Sequence, residues 1–140
     1  MGEKVAADWF VRKVGESPVQ ELEGIEMYRV LSGTGLDKAG CEYVTLDSGK
    51  ELEPHVHKKG HAFILVLEGS GEVYLDGKYS PIEKLSMINI PPGVEHGLRA
   101  LDEPLVVYGF QVPPIIEGDE DADIYFTKGN RKGTVSEIKT

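Results

Sequence analysis

The chain has four histidines, His55, His57, His61 and His96, and these are the residues whose type and spacing could do chemistry. Neutral imidazole binds Fe, Mn, Ni, Cu and Zn. His55 and His57 are one residue apart, so on a β-strand both side chains face the same way. His61 follows a Lys-Lys-Gly turn and can fold back towards them, while His96 follows a Pro-Pro-Gly turn. We therefore predict one divalent transition metal per chain, with all four histidines as candidate ligands; the alternative is surface histidines on a polar loop.

Short strands separated by turns must position these histidines. The 140 residues suit one domain, and 17 glycines, 8 prolines and few helix-period stretches indicate an all-β sandwich or barrel. Residues 68–71 and Asp76-Gly77 predict hairpin connections, and one strand is expected to begin at His96. Segments bounded by turn residues predict the other strands, over 25–31, 42–46, 62–67, 72–75, 87–90, 105–112 and 124–127. A short extended piece is expected over 54–57, because Glu53 precedes a proline and is biased away from helix.

Composition excludes several classes of function. Lys and Arg total 15 against 24 Asp and Glu, and the net charge of −9 disfavours nucleic acids and anionic membrane surfaces. A single cysteine, Cys41, excludes an internal disulfide and a cysteine-rich zinc module. The longest apolar run, 62–67, is far shorter than the roughly 20 residues that a transmembrane helix needs, and no signal peptide is visible. We expect a soluble cytoplasmic protein whose partner is a small molecule.

Two spaced motifs make the sequence similar to the cupin superfamily. Gly49, five residues, His55-Val56-His57 and then Gly69 match the first motif of that superfamily. Pro91-Pro92-Gly93 followed by His96 matches the centre of the second motif. The resemblance implies a small single-domain cupin, an all-β jelly-roll barrel with short N- and C-terminal extensions. Its expected segments are an N-terminal extension (1–24), the barrel core (25–114), and an acidic solvated loop with a last strand and a polar tail (115–140).

The sequence departs from the family pattern in both motifs. Leu85 and Ala100 stand where the second motif has glycine and asparagine. The glutamate of the first motif is missing: its slot is Ala62 when counted back from Gly69, and His61 when counted forward from the first two histidines. With His61, and a bulge to absorb one extra residue, the site resembles the four-histidine variant of small cupins. With Ala62, it resembles three-histidine cupin sites that leave the fourth position open.

The charge of such a site bears on its substrate. A divalent ion held by neutral imidazoles keeps its full charge, which favours a small anionic or readily ionised organic substrate. Cupins with three or four histidines often resemble dioxygenases. The leading hypothesis is therefore a mononuclear metalloenzyme, an oxidoreductase of dioxygenase type. The alternatives are a metal-dependent isomerase or lyase acting on a sugar or sugar acid, and a cupin that binds a small molecule without catalysis.

The remaining candidates concern the pocket and the assembly. Tyr43, Tyr108, Phe110 and Gln111 are candidates to line the pocket, with Tyr108 and Phe110 on one face of their strand and Gln111 on the other. Small cupins are frequently homodimers that exchange terminal strands, so the resemblance implies a homodimer. The apolar cluster Trp9-Phe10-Val11 is the candidate for such an exchanged element.

Overall fold

The computed structural model describes residues 10–36, 38–116, 121–128 and 131–134. Within these ranges the chain forms one 3-10 turn, Val14–Glu16, and no α-helix. No helix of the described part is long and apolar enough to span a bilayer. The strands are β1 (Val19–Leu22), β2 (Ile25–Arg29), β3 (Gly40–Leu46), β4 (Glu51–Val56), β5 (His61–Glu68), β6 (Ser70–Leu75), β7 (Lys78–Glu83), β8 (Met87–Ile90), β9 (His96–Ala100), β10 (Leu105–Val112), β11 (Asp121–Phe126) and β12 (Arg131–Thr134).

The strands form two antiparallel sheets whose inner faces meet. The first sheet has the order β1-β2-β3-β10-β5-β8, and the second has the order β12-β11-β4-β9-β6-β7. Sequence neighbours such as β4 and β5 lie in different sheets, as expected of a jelly roll. Completely buried apolar side chains fill part of the space between the sheets: Leu46, Val66, Ile90, Leu105 and Val107. The all-β prediction is therefore confirmed.

The period-2 alternation of each strand decides which residues reach the interior. On β5, Ala62, Ile64 and Val66 are buried, while Phe63 between them is 37% exposed. A shift of one residue would turn every one of these side chains to the opposite face. Each functional residue therefore depends on the phase of its strand.

The two predicted hairpin connections have different outcomes. Asp76 and Gly77 both have positive φ values, 45° and 98°, and join β6 to its sheet partner β7 as a two-residue turn. Residues 68–71 do not form a hairpin, because β5 belongs to the first sheet and β6 to the second. At this crossing Gly69 has a φ of 81°, and a Cβ there would lie 2.0 Å from the carbonyl oxygen of Pro104. The prediction of a hairpin at 68–71 was wrong.

Both ends of the described chain pair with the barrel. The strand β1 was not predicted, and it pairs with β2. Of the apolar cluster before it, Phe10 and Val11 are exposed, while Trp9 lies outside the described residues. At the other end, β11 pairs with β4 and β12 pairs with β11. Part of the segment expected to be a solvated acidic loop and a polar tail is thus strand, and Asp123 in β11 is only 4% exposed.

Candidate metal centre

Three of the four histidines converge between the sheets. His55 lies on the inner face of β4 and is the cross-strand partner of His96, the first residue of β9. His57 follows β4 directly. The centroids of the three rings are 4.3–4.9 Å apart, and one ring nitrogen from each lies within 4.8 Å of the other two. We call His55, His57 and His96 the histidine cluster; each is at most 4% exposed.

Hydrogen bonds fix which nitrogen of each ring is free. The Nδ1 of His55 lies 2.7 Å from the carbonyl oxygen of Glu53, and the Nδ1 of His96 lies 2.9 Å from that of Val94. The Nδ1 of His57 lies 2.6 Å from the carbonyl oxygen of Asp123. A carbonyl only accepts, so each Nδ1 carries the hydrogen and donates it. Each Nε2 therefore keeps its lone pair, which is the arrangement in which protein imidazoles bind metals.

Burial keeps the histidine cluster uncharged. It lowers the pKa of His55 well below its usual value, with the neighbouring His96 and His57 as further causes. Burial likewise lowers the pKa of His57, and it lowers that of His96 to about 4. Neutral rings are the form that binds a metal ion. The donor set, its spacing and its protonation thus fit a divalent transition metal held by three nitrogens.

The turn that carries His57 is held by a residue from the far end of the described chain. Both carboxylate oxygens of Asp123 accept backbone N–H bonds, from Lys58 (2.8 Å), Lys59 (2.9 Å) and Gly60 (2.8 Å). Burial alone would raise the pKa of Asp123, but these donors and the nearby His57 lower it. Asp123 thus fixes the turn with its side chain and the imidazole of His57 with its carbonyl.

His61 is not part of the histidine cluster. It is the exposed first residue of β5, and its Nε2 lies 2.7 Å from Oδ1 of Asn89. The next residue, Ala62, points inward and lines the cavity. The prediction of a four-histidine set was wrong because the strand phase of β5 turns His61 outward. The three-histidine alternative, with the slot at Ala62, describes the observed arrangement.

The cluster lies in the wall of a cavity of about 550 Å³ between the sheets, which we call the histidine cavity. Apolar side chains form most of its lining, among them Val44, Ile64, Leu98 and Phe126. The polar groups other than the histidines are carboxyls and one amide, from Glu42, Glu51, Glu53 and Gln111. No lysine or arginine belongs to the lining in the described part of the chain. An anionic group of a substrate would therefore meet no lysine or arginine in this lining.

The four predicted pocket residues have different positions. Gln111 lines the histidine cavity. Tyr43, Tyr108 and Phe110 point away from it, on the outer face of the first sheet, where the rings of Tyr43 and Tyr108 lie 5.6 Å apart and Phe110 is 44% exposed. Their assignment to the pocket was wrong, because the inward phase of β10 belongs to Val107, Gly109 and Gln111.

Sequence reasoning missed Glu42 and Asp123. Glu42 is 7% exposed and shares the inward phase of β3 with Val44 and Leu46. That alternation is visible in the sequence and could have placed Glu42 inside. Asp123 had no such signal, because the acidic run around it is typical of a solvated segment.

Comparison with known proteins shows which family this domain resembles. A family model described as Cupin domain matches residues 42–109. This stretch of the chain therefore resembles a cupin domain. This stretch includes the whole histidine cluster, while Asp123 lies beyond it. No curated protein matches the sequence.

Among solved structures, this chain resembles KdgF from Halomonas sp. at 25% identity and a TM-score of 0.63, covering 71% of this chain and 90% of that one. It resembles salicylate 1,2-dioxygenase from Pseudaminobacter salicylatoxidans at 23% identity and a TM-score of 0.60, over 68% of this chain but only 28% of that one. The cupin domain of Cnp3 from Schizosaccharomyces pombe is similar at 14% identity and a TM-score of 0.62, covering 72% of each chain. The last two likenesses support the fold alone.

Proposed function

We propose that this chain holds one divalent transition metal on His55, His57 and His96 and is a metalloenzyme of dioxygenase type acting on a small organic substrate. The observation that carries the proposal is the set of three buried Nε2 lone pairs, each fixed by an Nδ1 hydrogen bond to a carbonyl oxygen. A transition metal bound there would supply Lewis acidity and, if redox-active, electrons for dioxygen chemistry.

The lining favours a compact substrate with an apolar body. Val44, Ile64 and Leu98 offer no hydrogen bonds to the hydroxyl groups of a sugar, and no lysine or arginine of the described lining would pair with a sugar acid or phosphate. An ionisable oxygen of the substrate would instead find its opposite charge at the metal. These features favour the dioxygenase over the isomerase or lyase, and oxygen uptake on a panel of enols, phenols and sugar acids separates the two.

Metal content is the first test. The purified chain, reconstituted separately with Fe, Mn, Ni, Cu and Zn, is expected to retain about one ion of at least one of them. His96→Ala should weaken that affinity at least about 10-fold. The matched control is His61→Ala, which removes an exposed histidine bonded to Asn89 and should leave affinity unchanged. Substoichiometric metal in every reconstitution, or equal losses in the two variants, would contradict the site. Metal retention without turnover would leave a binding protein.

A further inference from the structure

A buried carboxyl faces the histidine cluster across the cavity. Glu42 lies on β3 of the first sheet, whereas the three histidines belong to β4, β9 and the turn after β4 on the opposite wall. Facing sheets pack about 10 Å apart, and side chains from both sheets project into that space. One hydroxyl-bearing molecule between the sheets can therefore place its oxygen at the cluster and direct the proton of that hydroxyl towards Glu42.

Polar side chains from the two strands beside β3 lie next to Glu42. On one side lies the amide of Gln111, for which two glycines leave room. A Cβ at Gly109, the cross-strand partner of Glu42, would lie 3.2 Å from the amide nitrogen, and a Cβ at Gly40 would lie 2.8 Å from the amide oxygen. On the other side, Arg29 is the cross-strand partner of Glu42, and its Nε is buried without a hydrogen-bond partner. The Oε1 of Gln111 is also buried and unpartnered. The carboxyl is therefore confined between one amide and one guanidinium.

Burial and these neighbours act in opposite directions on the pKa of Glu42. Burial raises its pKa to about 7, although the Gln111 amide and the Arg29 guanidinium oppose this. The other titratable groups of the cavity wall are the cluster, which stays neutral at this pH, and Glu51 and Glu53 across the cavity. A group with a pKa near the working pH transfers protons most effectively.

Glu42 also has a route for exchanging its proton. Besides the histidine cavity, it lines a second cleft of about 240 Å³, together with Arg29, Ser32 and Pro114. Through this cleft the carboxyl can equilibrate with solvent before a substrate binds, so its initial charge follows the pH of the solution.

Resting on the function proposed above, we propose that Glu42 accepts the proton of a neutral, hydroxyl-bearing substrate, an enol or a phenol, whose oxygen binds at the histidine cluster. The O–H bond of the substrate breaks, its electron pair stays on the oxygen, and the proton forms an O–H bond with the Glu42 carboxylate. Nothing is oxidised or reduced in this step, and the same proton can return to the product. A substrate that enters uncharged also explains a lining without lysine or arginine.

Calorimetry of proton release tests this with catechol as the probe, a diol that is neutral at pH 6 and at pH 8. The zinc-loaded full chain is titrated with catechol in pairs of buffers that differ in ionisation enthalpy, which counts the protons given to solvent. At pH 8 wild type should release about one proton fewer than Glu42→Gln, because the new negative charge of the bound catecholate holds the proton on the neighbouring carboxyl. At pH 6, where Glu42 is already protonated, the difference should vanish. Glu83→Gln, which alters an exposed carboxyl at the end of β7 outside both cavities, should match wild type.

Each outcome decides between the two proposals. Zinc content is measured first, and its absence refutes the metal site rather than the role of Glu42. With zinc in place, failure of catechol to bind wild type, or equal proton counts for wild type and Glu42→Gln at pH 8, overturns the assignment of Glu42. If Glu42→Gln does not fold, wild type alone remains informative, since its own proton release should rise by about one between pH 8 and pH 6.

Discussion

The stability of the metal-free protein should report the buried carboxyl directly. The perturbation is Glu42→Gln, which keeps the shape of the side chain and removes its titration. The pKa of Glu42 is raised from 4.5 to about 7 in the folded chain, mainly by burial. Between these values the folded state holds a proton that the unfolded state has lost. The free energy of unfolding of wild type therefore falls as pH rises through this window, relative to a chain without this group.

The magnitude follows from the width of that window. Each unit of pKa difference corresponds to about 1.4 kcal/mol, so a window of roughly 2.5 units gives about 3 kcal/mol. Relative to wild type, Glu42→Gln should gain about this much unfolding free energy between pH 4.5 and pH 7, and no more above pH 7. The pH dependence is the measure, because a constant offset can arise from altered hydrogen bonding to Gln111.

Urea unfolding of chelator-treated protein, followed by circular dichroism from pH 4.5 to pH 9, supplies the free energies. Subtracting one curve from the other removes the contribution of the histidines, which both chains share. Glu51→Gln serves as the control for the loss of one exposed carboxyl at the start of β4. Parallel curves for Glu42→Gln and wild type would refute the argument, because they would mean that Glu42 titrates alike in the folded and unfolded chains.

Two further predictions concern the turn and the outer sheet face. Asp123→Asn removes the oxygen that accepts the N–H groups of Lys59 and Gly60. The unfolding free energy should therefore fall by about 3 kcal/mol, and zinc affinity should fall about 10-fold. An unchanged urea midpoint would contradict this role. Phe63, Met87 and Phe110 are 37%, 70% and 44% exposed on the outer face of the first sheet, and we expect a homodimer through this face. Light scattering should find Phe110→Glu monomeric and the control Leu101→Glu dimeric, whereas a monomeric wild type would refute the dimer.

The sequence was sufficient for the parts of the site that depend on local spacing. His55 and His57 share a face because the side-chain period of a strand is two, and His96 follows a turn that its Pro-Pro-Gly run makes recognisable. His61 shows the limit of such reasoning. His61 and Ala62 are adjacent on β5, so their side chains face opposite sides of the sheet. Which of them faces inward is set by the pairing of β5 with β8 and β10, which no local pattern specifies.

The remaining errors have the same non-local origin. Residues 68–71 have the glycines of a hairpin, but the sheet that each flanking strand joins is decided by packing across the whole barrel. Asp123 is buried only because β11 pairs with β4, far from it in sequence. The inward position of Glu42 could have been predicted from the alternation on β3. Its proximity to Arg29 and Gln111 could not, because it depends on the order of β2, β3 and β10 in the sheet.

The hydrogen bonds from Asp123 imply an order of events during synthesis. His57 leaves the ribosome 66 residues before the carbonyl that aligns its ring, and the nascent turn at 58–60 meanwhile has no anchor. Until then the imidazole of His57 lacks its final orientation and would bind a metal ion in an unsuitable geometry. For the metal site proposed above, correct metal loading would therefore follow the pairing of β11 with β4, after translation has passed Asp123.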